Sequence, residues 1–160
     1  MIYLSYLFLF FLAFFGMEFV AWFSHKYIMH GFLWTLHKDH HRGTSTTLQN
    51  NDWFSIIFAL PSFLFIFLGF LFENYLNVAV GFGMTAYGCV YFFVHDIFVH
   101  QRIKFLRDTT NPYMLALRRA HKSHHKSLEK ENTESFGFII VNKKYFTKDK
   151  THPASKHITR

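Results

Sequence analysis

Three long apolar runs set the pattern of this chain: about Ile2 to Phe23, Trp53 to Phe72 and Tyr75 to Val94. The second and third contain no charged residue, and the first contains only Glu18. Each approaches the roughly 20 residues that a helix needs to cross a hydrocarbon core about 30 Å thick, so the pattern predicts three transmembrane helices. Pro61 in the second run is compatible with this, because neighbouring groups in a membrane bundle satisfy the carbonyl that proline frees. The first run starts without Lys or Arg and is longer than a signal-peptide apolar region, which predicts a retained helix and not a cleaved leader.

The polar segments between the runs give the orientation. All 17 Lys and Arg residues lie in Ser24–Asp52 and His95–Arg160, whereas the link between the second and third runs carries only Glu73 and Asn74. The positive-inside rule places both basic segments in the cytoplasm and the N-terminus outside. A net charge of +7 is thereby explained by topology, and no nucleic-acid partner is expected. One membrane-embedded domain is predicted over residues 1–160, with a polar tail from about 142 to 160.

On that common face stand ten of the twelve histidines, in four clusters. His25 with His30 and His95 with His100 form HxxxxH patterns; His37, His40 and His41, and again His121, His124 and His125, form HxxHH. Positions three and four apart share a helix face, so each HxxHH can present its rings together. A pair five apart diverges by roughly 140° on an α-helix. Such a pair either flanks a metal from two sides or marks a local widening of the helix, and Gly31 suggests that the first helix soon ends. Asn111–Pro112 predicts a capped helix from Tyr113 to Lys126 that carries the last cluster. Converging imidazoles make physical sense when a cation offsets their burial. Ten exceed one tetrahedral zinc site, which implies two ions. His152 and His157 lack cluster spacing and read as solvated.

Each half of the chain has a membrane helix, an HxxxxH and an HxxHH, so each half is expected to give five imidazoles to a two-metal centre. Glu18, seven residues before His25, and Asp39 and Asp96, beside ligand candidates, are the candidate acceptors for a ligand's second ring N–H. Cys89 reads as a small packed residue. Gly81, Gly83, Ala86 and Gly88 read as sites of close helix approach, with channel shaping as the alternative. Arg102, Lys104, Arg107, Arg118, Arg119 and Lys122 gather near the second pair of clusters and would either steer an acidic redox partner or meet anionic lipid. A bis-histidine haem protein would need histidines within facing spans, and a metal carrier would need them along a translocation path. None of the three predicted spans contains one.

The stretch Met17–Arg42, with His95-Asp-Ile-Phe-Val-His-Gln-Arg102 and Ala120-His-Lys-Ser-His-His125, resembles the bacterial-type β-carotene 3-hydroxylases of the fatty acid hydroxylase superfamily. The similarity runs from the first span to about Ile140. Heavy Phe usage and a Lys-rich tail after Asn142 depart from the usual pattern. The resemblance implies an all-α integral membrane protein, with about three transmembrane helices and cytoplasmic helices capping a histidine-rich di-metal site in a bacterial inner membrane. It implies two non-haem irons held by the ten clustered histidines, with zinc as a substitute in purified samples. It further implies O2, a ferredoxin-type electron donor, and a carotenoid taken from membrane lipid and hydroxylated at C3 of its β-ionone rings. The alternatives are a fatty acyl or sterol hydroxylase or desaturase, and a non-enzymatic membrane metal-binding protein.

Overall fold

The computed structural model describes residues 1–43 and 48–147; His152 and His157 lie outside the described residues. Among the described residues the fold is helical, without strands. Five α-helices follow in order: α1 (Ile2–Phe23), α2 (Trp34–Arg42), α3 (Trp53–Leu71), α4 (Tyr75–Phe92) and α5 (Pro112–His124). Short 3-10 turns at Asn50–Asp52 and Lys143–Phe146 complete the frame.

Three helical stretches are long and apolar enough to cross a membrane: Ile2–Phe32, which is kinked at Gly31, Asn50–Leu71 and Tyr75–Val99. The first and third outrun their predicted ends. Both pass from α-helix into a π-helical turn, Ser24–Phe32 after α1 and Phe93–Val99 after α4. His25, His30 and His95 sit on helical turns that continue past the apolar runs, and the first of these ends at Gly31, as its sequence suggests, where the backbone is non-helical (φ −101°, ψ −120°). The π-turns also settle the HxxxxH spacing. Bonds from i to i+5, such as His100 N–H to His95 O at 2.9 Å, widen the turn and bring a residue five positions on back towards the same face. The ring centroids accordingly lie 5.3 Å apart for His25 and His30 and 4.6 Å apart for His95 and His100.

α4 packs against both α1 and α3. Small residues permit this. A Cβ on Gly83 would collide with the Phe10 carbonyl oxygen of α1, and one on Gly81 would collide with Ile66 and the Ser62 carbonyl of α3. Without a hydrophobic drive between helices in lipid, such close backbone approach supplies the packing energy. Gly88 has open space around it and, like Ala86, faces a cavity or groove, so the four small residues divide between the two expected roles. Cys89 is exposed, a correction to its reading as a packed residue: it stands on the face of α4 that borders the same open space.

The buried apolar core is small and lies just beneath the histidines. One cluster comprises Met17, Ala21, Tyr87 and Phe138, with Phe14, Phe58, Met84, Tyr91 and Ile139 against it, and a second joins Ala116 and Ala120 of α5 to Tyr145. Most other large apolar side chains of the spans, Phe8, Phe15, Phe63 and Phe67 among them, point outward, as lipid contact requires. α5 starts as its sequence predicts, with the Asn111 side chain accepting the N–H of Tyr113 and Met114 at 3.0 and 3.1 Å. It closes at His124, two residues early, where Lys126 N–H turns back to Ser123 O.

Candidate metal centre

The ends of α1 and α4, the whole of α2 and the end of α5 bring the clustered histidines into one buried assembly. Two groups form within it: His25, His30, His37, His41 and His124, and His40, His95, His100 and His121. The ligand atoms within each group lie within 4.8 Å of one another. His125 is outside both groups and lies between them, its ring 4.4 Å from His121 of the second and 4.4 Å from His41 of the first.

The first half of the chain supplies five histidines to these groups and the second half supplies four, His95, His100, His121 and His124. The two halves interlock, with His40 joining the second group and His124 the first. The cause is local: neighbouring helix residues point about 100° apart, so His40 and His41 go to different groups.

Proton positions decide what this assembly can hold. Seven Nδ1–H groups reach oxygens that only accept: His25 to Phe136 O at 3.1 Å, His30 to Lys130 O at 3.0 Å, His41 to Ser127 O at 2.9 Å and His124 to Glu134 O at 3.0 Å. His37 donates to Asn51 Oδ1 at 2.6 Å, His40 to Gln49 Oε1 at 2.9 Å, and His95 to Asp96 Oδ2 at 3.2 Å. In a neutral ring the other nitrogen is then a bare lone pair. Yet Nε2 atoms face each other at 3.1 Å for His25 and His37, 3.2 Å for His30 and His124, and 3.0 Å for His40 and His95.

Lone pairs so placed repel unless a cation lies between them. Metal–imidazole bonds of roughly 2.1 Å at right angles put donor nitrogens about 3 Å apart, so the spacing suits coordination. Two further Nε2 atoms, of His41 and His125, are buried with no hydrogen-bond partner. Burial keeps these rings neutral and ready to bind, pushing His37 down to about 2, His124 to about 3 and His40 and His41 to about 4, from an ordinary 6.5.

The three acidic candidates take different places. Asp96 lies against His95 and also meets Arg102 Nε at 3.0 Å. Glu18 does not accept from a histidine. Its Oε1 takes the N–H groups of Phe138, Ile139 and Ile140, and its Oε2 the Tyr87 hydroxyl at 2.7 Å, because it sits two turns below the rings. Asp39 also misses the ligands: on the outer side of α2, its Oδ2 accepts from Asn50 N–H at 2.6 Å. It thereby steadies the turn whose Gln49 and Asn51 side chains accept from His40 and His37. Sequence reasoning missed these two amides and the carbonyls of Ser127–Phe136. The Gln49–Asp52 capping box was the one available signal for the former.

The basic set is reduced. Arg102 bridges Asp96 and Asp52, Arg118 donates to the carbonyls of Phe98, Leu106 and Arg107, and Arg119 donates to that of Tyr145. These three are structural cations, while Lys104, Arg107 and Lys122 are exposed.

Directly below the centre, a cavity of about 410 Å³ lies between α1, α3 and α4. Its walls are mostly apolar, with Ala21, Phe58, Met84 and Phe138 among them. Its polar end is formed by Asn51, Asp52 and Asp96, which brace the histidines.

Residues 10–145 match the family described as fatty acid hydroxylase. The chain is 43% identical to a β-carotene hydroxylase of Pantoea ananas over 79% of its own length and 71% of the relative's. It is 40% identical to one of Pseudescherichia vulneris, over 80% and 72%, and 37% identical to one of a Paracoccus species, over 78% and 77%. No solved structure matches it. A helical membrane frame carrying two buried groups of histidines, matched over most of its length, makes this chain a member of the fatty acid hydroxylase family.

Proposed function

We propose that this protein is a β-carotene 3-hydroxylase, converting β-carotene through β-cryptoxanthin to zeaxanthin with two non-haem irons bound by the ten clustered histidines. The observation that carries the reading is the placement of two groups of converging histidines next to an apolar cavity bounded by membrane helices, with Asn51, Asp96 and Phe138 between them. Bound iron supplies the oxygen chemistry: one O2, two electrons and two protons yield a hydroxylated carbon and one water. The residues do the rest. Met84, Phe58 and Phe138 offer the ring an apolar seat, and the opening beside Gly88 and Cys89 admits a polyene laterally from lipid. Asp96, accepting from His95 while Arg102 neutralises its other oxygen, makes that ring a stronger donor.

Electrons come from a ferredoxin-type donor, for which exposed Lys104, Arg107 and Lys122 remain as steering charges. The histidine face lies in the cytoplasm of a bacterial inner membrane. Reporter fusions near Asn74 should register outside and fusions after Arg42 inside; the opposite result would reverse the orientation.

The reading is tested with β-carotene, reduced ferredoxin and labelled O2. β-Cryptoxanthin should appear before zeaxanthin, with label in each hydroxyl, and acyclic lycopene should be untouched. Label arriving from water would refute the oxygenase reading. β-Carotene left unchanged while an acyl or sterol lipid is oxidised would refute the substrate.

A further inference from the structure

The two histidine groups are braced differently. In the first, four of five Nδ1–H groups donate to backbone carbonyls of one irregular segment: His41 to Ser127, His30 to Lys130, His124 to Glu134 and His25 to Phe136. In the second, His40 and His95 donate to side chains, Gln49 and Asp96, and no Nδ1 contact to that segment is found among the described residues. The segment has no regular secondary structure of its own to hold it. A carbonyl on a loose loop would let the ring it steadies rotate.

Arg42 holds the segment at Leu128 and Glu129, and Ser123, Lys144 and Tyr145 hold it at Glu134, while Glu18 fixes its far end from below. The Glu18 carboxylate, 6% exposed, collects three consecutive N–H groups on one oxygen: Phe138 at 3.0 Å, Ile139 at 2.9 Å and Ile140 at 3.0 Å. Tyr87 from α4 holds the second oxygen, so α1, α4 and the segment meet at this group. Gly137 eases the approach here, since a Cβ would lie a tight 3.1 Å from Oε1 and 3.3 Å from Ile140 O. Two residues before the first of these N–H groups is Phe136, whose carbonyl orients His25.

We propose that Glu18 is a positioning residue chiefly for the first metal site: by holding Phe138–Ile140 it fixes the end of the segment whose carbonyls orient His25, His30, His41 and His124, His25 most directly, and with them that site's hold on its ion. The two sites are therefore inequivalent, and their ions are retained independently. This rests on the metal reading of the two groups and not on the identity of the substrate.

The test uses the full chain in lipid nanodiscs, loaded with isotopically enriched iron, and reads iron content during chelator challenge together with the Mössbauer signals of the two sites. Loss of a group that orients a ligand typically weakens metal binding 10- to 100-fold. Glu18→Ala should therefore shed one of two irons roughly 10 to 100 times faster than wild type, with one signal altered and the other retained. Glu18→Gln should stay close to wild type, because its amide oxygen still accepts the three N–H groups while its NH2 donates to the Tyr87 oxygen. Asp96→Asn should perturb the other signal. If Glu18→Ala does not fold, Glu18→Asp, which draws the carboxylate back by one methylene, should show the same selective loss. Equal loss of both irons, loss of neither, or failure of Gln to rescue overturns the proposal. Wild-type protein that binds fewer than two irons overturns the metal reading beneath it.

Discussion

His124→Ala should lower carotenoid hydroxylation by at least about 100-fold and leave the protein short of one iron, with the membrane helices still folded. Partners that only orient a ligand are worth 10- to 100-fold, and removal of the ligand itself exceeds that. His124 is fully buried, donates from Nδ1 to Glu134 O, and places Nε2 3.2 Å from that of His30. Truncation thus deletes a donor and leaves a bare lone pair facing an apolar void. The helices should survive because α1, α3 and α4 pack against one another without α5. Iron analysis beside turnover checks this. A His124→Ala protein with two irons and near-normal rate would remove His124 from the ligand set.

Gly88→Trp should produce the complementary defect, a protein with its full iron content and turnover reduced about 100-fold, the cost typical of a reacting atom displaced by 1 Å. A Cβ at Gly88 meets nothing within 4 Å, so a large side chain is accommodated, and the space it enters is the cavity beneath the histidines. Gly16→Trp is the matching control: Gly16 is equally open but lies on the exposed face of α1, away from that cavity. Equal rates for the Gly88 and Gly16 variants would show that substrate reaches the centre by another path.

These two variants separate what the sequence made visible from what it did not. Spans were legible because lipid imposes a simple demand, an unbroken apolar run, and the runs at Trp53 and Tyr75 meet it without a charge. The cap at Asn111–Pro112 was legible because its signal is local. The ten histidines were conspicuous, but their division was not. Whether His40 or His41 faces a given site depends on how α2 lies against α1 and α5, and no one-dimensional pattern encodes that. The HxxxxH pairs left two options open because an α-helix and a π-turn share the same letters and differ only in which carbonyl each N–H selects. Glu18 was noticed for its depth, but its partners lie about 120 positions along the chain. The carbonyls of Ser127–Phe136 belong to the backbone, which every sequence carries and none announces.

The interlocking of the two histidine groups bears on how the protein is made. The first group lacks His124, and the second lacks His121, until α5 has been synthesised, and the carbonyls that steady four rings come later still. A nascent chain with all three spans already inserted therefore owns only fragments of either site. Both groups therefore reach their full set of histidines only once α5 has been made and has docked, and a chain that ends before α5 lacks one member of each together with the carbonyls that steady the first.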